Sequence, residues 1–149
     1  MAARRTRVRF DQANPAMTVF RTRYWARRMV YVLRADKPQK YESGRSRIVY
    51  IGETRKGTKR PAASAAGKSL KAFAKLRGVK RIEVYPLTFR GKQHVRLWEV
   101  LERDLLSMFK KIHGGIPCYN RQGQGKKFVT DKIRYFSAKR LEGVIKALS

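Results

Sequence analysis

Thirty-seven lysines and arginines face only ten aspartates and glutamates in this chain of 149 residues, a formal net charge of +27. Such an excess opposes any compact state by self-repulsion. The chain can fold only by gathering its apolar residues into dense segments and leaving its cations outside. Hydrophobic residues make up 42% of it, including Trp25 and Trp98. That is too many for a disordered basic tail, and the length suits one domain with a real core. The charge calls for a polyanion, and nucleic acid is the natural one, because each neutralised phosphate releases counterion. An anionic membrane surface ranks below it, since no long amphipathic helix with a basic face stands out. No apolar run reaches membrane-spanning length. Cys118 is the sole cysteine and His94 and His113 lack metal spacing, so neither an internal disulfide nor a thiolate zinc site is expected. No apolar segment follows the basic N-terminus, and a cytoplasmic location with no membrane partner is expected.

Residues 1–28 hold eight arginines, no lysine and, as acid, only Asp11. They read as a basic arm in which Arg4, Arg5, Arg7 and Arg9 grip phosphate, or as a solubilising tail. Met29 to Leu33 and Arg47 to Gly52 read as two strands of a hairpin, joined by a long polar loop over 36–44. Lys56 to Pro61 breaks the pattern. A helix follows over 62–77, with Ala65, Leu70, Phe73, Ala74 and Leu76 on its apolar face and Gly78 as its stop. Residues 81–87 read as a third strand. Val95 to Ile112 is the clearest helix, with Trp98, Leu101, Leu105, Met108, Phe109 and Ile112 at three- and four-residue steps. Residues 128–136 read as extended or irregular, and Ser137 as the N-cap of a last helix ending near Leu148. The expected domains are the arm 1–28, a catalytic domain 29–122 and an extension 123–149. The oligomeric state is not legible.

Glu102 is out of place among the apolar residues of its helix, four after Trp98 and three before Leu105. A carboxylate there is costly unless paired or bound to a cation. Its bland reading is a stem lying on the core with the head on a nearby cation. Tyr31 and Tyr50 are each consistent with ordinary strand residues. Arg60, near Arg55, Lys56 and Lys59, could be one charge of a solvated run. Ala62, Gly67, Lys68 and Ser69 meet a relaxed phosphate-loop pattern, but no buried strand leads directly into it. Lys68 is better read as a contact to a nucleic-acid backbone.

Taken together, these residues resemble the GIY-YIG nuclease family. Tyr31 matches the tyrosine of its first motif and Tyr50-Ile51-Gly52 its second. Arg60 stands eight after that glycine. Leu101 to Leu106 looks like the segment around the family's metal-binding glutamate, and Pro117-Cys118-Tyr119-Asn120 like its closing Pro-x-Tyr-Asn. The resemblance covers residues 29–122. The departures are Met-Val-Tyr in place of Gly-Ile-Tyr, eighteen residues between the two tripeptides, Ser64 where some members carry histidine, and a longer stretch from Glu102 to Asn120.

The resemblance implies an α/β (α+β) fold, a small, mainly antiparallel three-stranded sheet flanked by helices. It implies an endonuclease, with DNA favoured, that hydrolyses phosphodiester bonds with one Mg²⁺ or Mn²⁺ on Glu102. Tyr31 would be the general base, with Tyr50 positioning it or the phosphate. Arg60 would hold the transition state, and Asn120 would orient the phosphate or its surroundings. Arg55, Lys56, Lys59 and Lys68 would bind the backbone. The rival is a non-catalytic basic nucleic-acid-binding protein, ribosome-associated or architectural.

Overall fold

The computed structural model describes residue 13 and residues 29–54, 59–89, 95–120 and 136–149, giving the backbone alone at 54, 59–66, 95 and 96. The expectations placed on the arm, on Arg55 and Lys56, and on residues 128–135 lie outside it. The elements run β1 (Met29–Tyr41), β2 (Gly44–Thr54), α1 (Lys59–Lys75), β3 (Ile82–Leu87), α2 (Val95–His113) and α3 (Ala138–Leu148). The strands form one antiparallel sheet ordered β2-β1-β3. The fold is therefore α+β, a three-stranded antiparallel sheet with three helices among the described residues. None of the described helices is long and apolar enough to cross a membrane.

The sheet buries both faces, and the period-2 alternation of its strands divides them. Val30 and Val32 of β1 join Ile48 and Ile51 of β2 on one face, under Trp98, Leu101, Leu105, Met108 and Phe109 of α2. Leu141 and Ile145 of α3 enter this same cluster, so the terminal helix shares the core with the sheet and α2. The opposite face gathers Tyr31, Leu33, Ala35 and Val49, with Val79, Phe73 and Leu76 packed against them. Here α1 differs from expectation. Its inward stripe is Ser69, Ala72, Phe73 and Leu76, an i, i+3, i+4, i+7 set, whereas Leu70 is 57% exposed and Ala74 points out.

The polar stretch 36–44 is not a long loop. Strand pairing continues through Gln39↔Ser46 and Lys40↔Arg45 to Tyr41↔Gly44, and only Glu42 and Ser43 make the turn. Two irregularities accommodate it: four residues of β1 (35–38) stand against Arg47 alone, and Val49 is extra between the pairs Leu33↔Tyr50 and Arg34↔Ile48. Pro38 falls within the first, where a missing ladder donor is tolerated. The Val49 bulge turns both Val49 and Tyr50 toward the α1 side, while Ile48 and Ile51 face α2.

The arm formed in this way is fastened to the end of α2. The Tyr41 ring meets Phe109 edge-on at 5.0 Å, and its hydroxyl donates to the Ile48 carbonyl at 2.7 Å. The Ser43 N–H donates to the His113 carbonyl at 3.0 Å. Gly114, at φ +80°, passes so close that an added Cβ would lie 2.8 Å from Cβ of Glu42. His113 is buried against Phe109 and Tyr41, with Nε2 3.1 Å from the Ser149 hydroxyl. Burial holds its pKa below the ordinary 6.5. The unfolded chain therefore takes up this proton more readily than the native one. His113 contributes stability in full above pH 6.5, and that stability is lost as pH falls from there through the folded-state pKa. Thermal melts across this window should show a steeper loss for the native chain than for His113→Gln. Parallel curves would mean that another group titrates.

Candidate active site

Paired residues in an antiparallel ladder share a face, so Tyr31↔Gly52 and Leu33↔Tyr50 put both tyrosines on the α1 side. Their ring centroids are 5.8 Å apart, tilted by 47°. Gly52 leaves room for the Tyr50 ring: a Cβ on it would lie 2.6–2.9 Å from the ring and hydroxyl, so a side chain there would displace them. From α1, the Lys68 ammonium sits 4.1 Å from the Tyr50 ring centroid. A cation over a phenol attracts its π cloud and favours negative charge developing on its oxygen. The two rings differ in access. Tyr31 is 1% exposed and belongs to the core, whereas Tyr50 is half-buried.

Arg60 lies in the first turn of α1, and Lys59 opens that helix; their side chains are outside the described residues, as are Arg4, Arg5, Arg7 and Arg9. Glu102 is half-buried on α2, among Trp98, Leu101, Leu105 and Leu106, all buried. Its helix packs on the face of the sheet opposite the tyrosines. The end of α2 that bears it is also fixed: Trp98 stacks on Phe89 at 4.2 Å, just beyond the Val30↔Leu87 pair, whereas Phe109 meets the arm. The structure thus brings Tyr31, Tyr50 and Lys68 together and carries Glu102 on the far layer.

Asn120 is engaged by the backbone of β2. It is 7% exposed, and its amide is spent on the backbone of Ile51, accepting from N–H at 3.0 Å and donating to C=O at 2.7 Å. Next to it, the Tyr119 N–H donates to the Val49 carbonyl at 2.9 Å. The Pro-Cys-Tyr-Asn segment therefore caps the free edge of β2 and fixes Ile51 between Tyr50 and Gly52. Asn120 holds the tyrosine strand in place.

Two carboxylates were passed over in the sequence. Glu53, directly after Gly52, pairs with Val30 and so lies on the α2 side; strand alternation alone gives that placement. Asp104 is 2% exposed, with Oδ1 3.4 Å from the Arg103 guanidinium and Oδ2 without a partner among the described residues. Burial pushes its pKa up, against the pull of Arg103. Its position on the apolar stripe, three after Leu101 and four before Met108, was the available signal. Among the described residues no three His, Cys, Asp or Glu side chains gather as a metal-binding group. Glu102 is the residue that could hold a hard divalent ion of the Mg²⁺ kind, which takes one or two carboxylates and completes its shell with water and phosphate oxygens. Comparison with protein-family models, curated proteins and solved structures finds no match.

The Asn120 clamp has a measurable consequence. Asn120→Ala strands a buried donor and a buried acceptor, and should cost about 2–4 kcal/mol. Denaturant melts measure the loss. A change within about 0.5 kcal/mol, the range of ordinary surface substitutions, would show that the clamp does not hold β2.

Proposed function

We propose that this chain is a divalent-metal-dependent endonuclease of the GIY-YIG type, acting on DNA. The observation that carries this reading is the pairing of Tyr31 and Tyr50 at 5.8 Å on one sheet face, with the Lys68 ammonium over Tyr50 and Arg60 in the first turn of the helix covering that face. Tyr31 and Tyr50 are neighbours on β1 and β2 and Asn120 bonds to Ile51 of β2, whereas Glu102 lies on the helix across the sheet.

In this reading a water attacks the scissile phosphate. The burial difference moves the role of general base from Tyr31 to Tyr50, the ring that solvent reaches. A phenol near pKa 10 needs cationic surroundings to accept a proton at neutral pH, and Lys68 is one such cation. Tyr31 then supports the Tyr50 ring from the core. Arg60 stabilises charge on the pentavalent phosphate. Glu102 would hold the metal ion, whose chemistry is to neutralise the phosphate and the leaving oxygen. Asn120 acts through Ile51 by fixing the strand that presents Tyr50.

The second reading, a non-catalytic nucleic-acid-binding protein, draws on the near-complete burial of Tyr31 and the structural use of Asn120. Single-turnover cleavage of DNA in Mg²⁺ and Mn²⁺ separates the two. Glu102→Gln should abolish cleavage and leave binding largely intact. Tyr50→Phe should slow the chemical step on the order of 10²–10⁴-fold, with Tyr31→Phe costing less. Tyr31→Phe inactive and Tyr50→Phe active would exchange the two roles. A purified, folded chain that binds DNA and never cuts it in either metal would leave the binding protein standing.

A further inference from the structure

The acids among the described residues are sorted by layer. On the strands, Glu53 and Glu83 both occupy α2-side positions, paired with Val30 and Arg34. Glu83 is taken up by Arg34 at 3.0 Å and by the Tyr85 hydroxyl at 3.0 Å. Glu99, Glu102 and Asp104 are on α2 and Glu142 is on α3. Glu42 lies against Gly114 at the end of α2. Asp36 is spent on the Lys80 N–H, both carboxylate oxygens lying at 3.2 Å. By contrast α1, over Lys59–Lys75, contains no acid at all, and neither do the strand positions that share its side of the sheet.

The same side continues outward along the arm. Ser46 is buried and bonded to Ser149, and Tyr41 packs on α2, so their strand neighbours Arg45, Arg47 and Lys40 face the other way, toward the tyrosine side. Lys40 and Arg45 are exposed and directly opposite one another in the ladder. Like charges in that position destabilise a hairpin, and an anion lying across them reverses the sign. No acid among the described residues forms an ion pair with Lys40, Arg45 or Arg47.

We infer that the α1 side of the sheet, prolonged by Lys40, Arg45 and Arg47 of the β1–β2 arm, is the surface along which a DNA backbone runs toward the tyrosine pair. Arg45 precedes Tyr50 by five residues of strand, about 16 Å at 3.3 Å per residue. A duplex strand passes roughly four or five phosphates over that length, at about 3.4 Å of axis each. The arm therefore grips backbone at a distance from the reacting phosphate and sets the direction in which the strand enters. This surface rests on nucleic acid being the partner, as proposed above, but it does not require cleavage.

The test compares two charge-matched double variants, Arg45→Ala with Arg47→Ala on the arm and Lys110→Ala with Lys111→Ala on the exposed last turn of α2. Binding of a short fluorescein-labelled DNA duplex is followed by anisotropy over about 50–200 mM salt. Each lost phosphate contact lowers the slope of log K against log salt by about 0.9. The arm variant should lose between one and two units of slope, and the α2 variant close to none. Equal losses in the two variants, or an unchanged slope in the arm variant with the native melting temperature, would overturn the inference. An arm-dependent slope in a chain that never cuts would overturn only the nuclease. Cleavage with an arm-independent slope would overturn only this surface.

Discussion

The exposed edge of β2 is the point on which the rest of this structure depends. An edge strand presents unpaired N–H and C=O groups, and here Arg47, Val49 and Ile51 of β2 each find a partner. The Ile51 N–H and C=O go to the Asn120 amide, the Val49 carbonyl accepts from the Tyr119 N–H, and the Arg47 N–H donates to the Ser149 carbonyl. The partners come from the segment after α2 and the end of α3, the two helices of one layer. Closing the edge therefore also fixes that layer against the sheet. It fixes the Val49 bulge as well, and the bulge is what turns Tyr50 onto the side of Tyr31. One set of backbone hydrogen bonds thus decides both the packing of α2 and the direction of the tyrosine pair.

How far the sequence could be read follows from which kind of information each element carries. The helical period of Trp98, Leu101, Leu105, Met108 and Phe109 survives into the structure because each of these residues buries against the same sheet face. The alternation around Tyr31 and Tyr50 is similarly legible, and the antiparallel three-stranded sheet follows from it. The β1–β2 hairpin runs on through the loop expected over 36–44: Asp36, Lys37, Pro38 and Gln39 are poor strand formers, while the pairing past them is secured by Tyr41 and Ser43 on α2, contacts of long sequence separation. Leu70 was misread because helical propensity does not say which of two overlapping stripes will face the core. The part played by Asn120 was hidden for a different reason. A side-chain amide can serve a backbone edge as well as a phosphate, and the Ile51 N–H and C=O come within its reach only through the fold.

The two layers also divide the electrostatic work. The α2 and α3 helices, with the sheet positions on their side, hold most of the described acids, and several of these pair locally: Glu83 with Arg34 and Arg81, Asp104 with Arg103, Glu142 with Lys146. Of these pairs, Glu142–Lys146 is exposed at both partners and worth little in stability. Their effect is to concentrate the unneutralised charge elsewhere. On the α1 side Lys68 rests on an aromatic ring, Lys40 faces Arg45 across the hairpin, and Lys71 and Lys75 stand exposed on a helix with no acid. A face with low-dielectric walls and one sign of charge raises the local concentration of an anionic partner.

This division bears on how so basic a chain folds at all. Repulsion among its cations opposes collapse, and hydrophobic burial must exceed it. Both sheet faces are apolar at their centres, which gives a three-stranded sheet two cores rather than one. The repulsion that remains is greatest where like charges are held in register, on the arm and on α1. A partner that binds there relieves repulsion present in the native state and absent from the expanded unfolded chain, so its binding free energy adds directly to folding stability. The face that costs the free protein most is therefore the face that a polyanion stabilises most. The cations that strain the fold thus lie on the same side of the sheet as the two tyrosines.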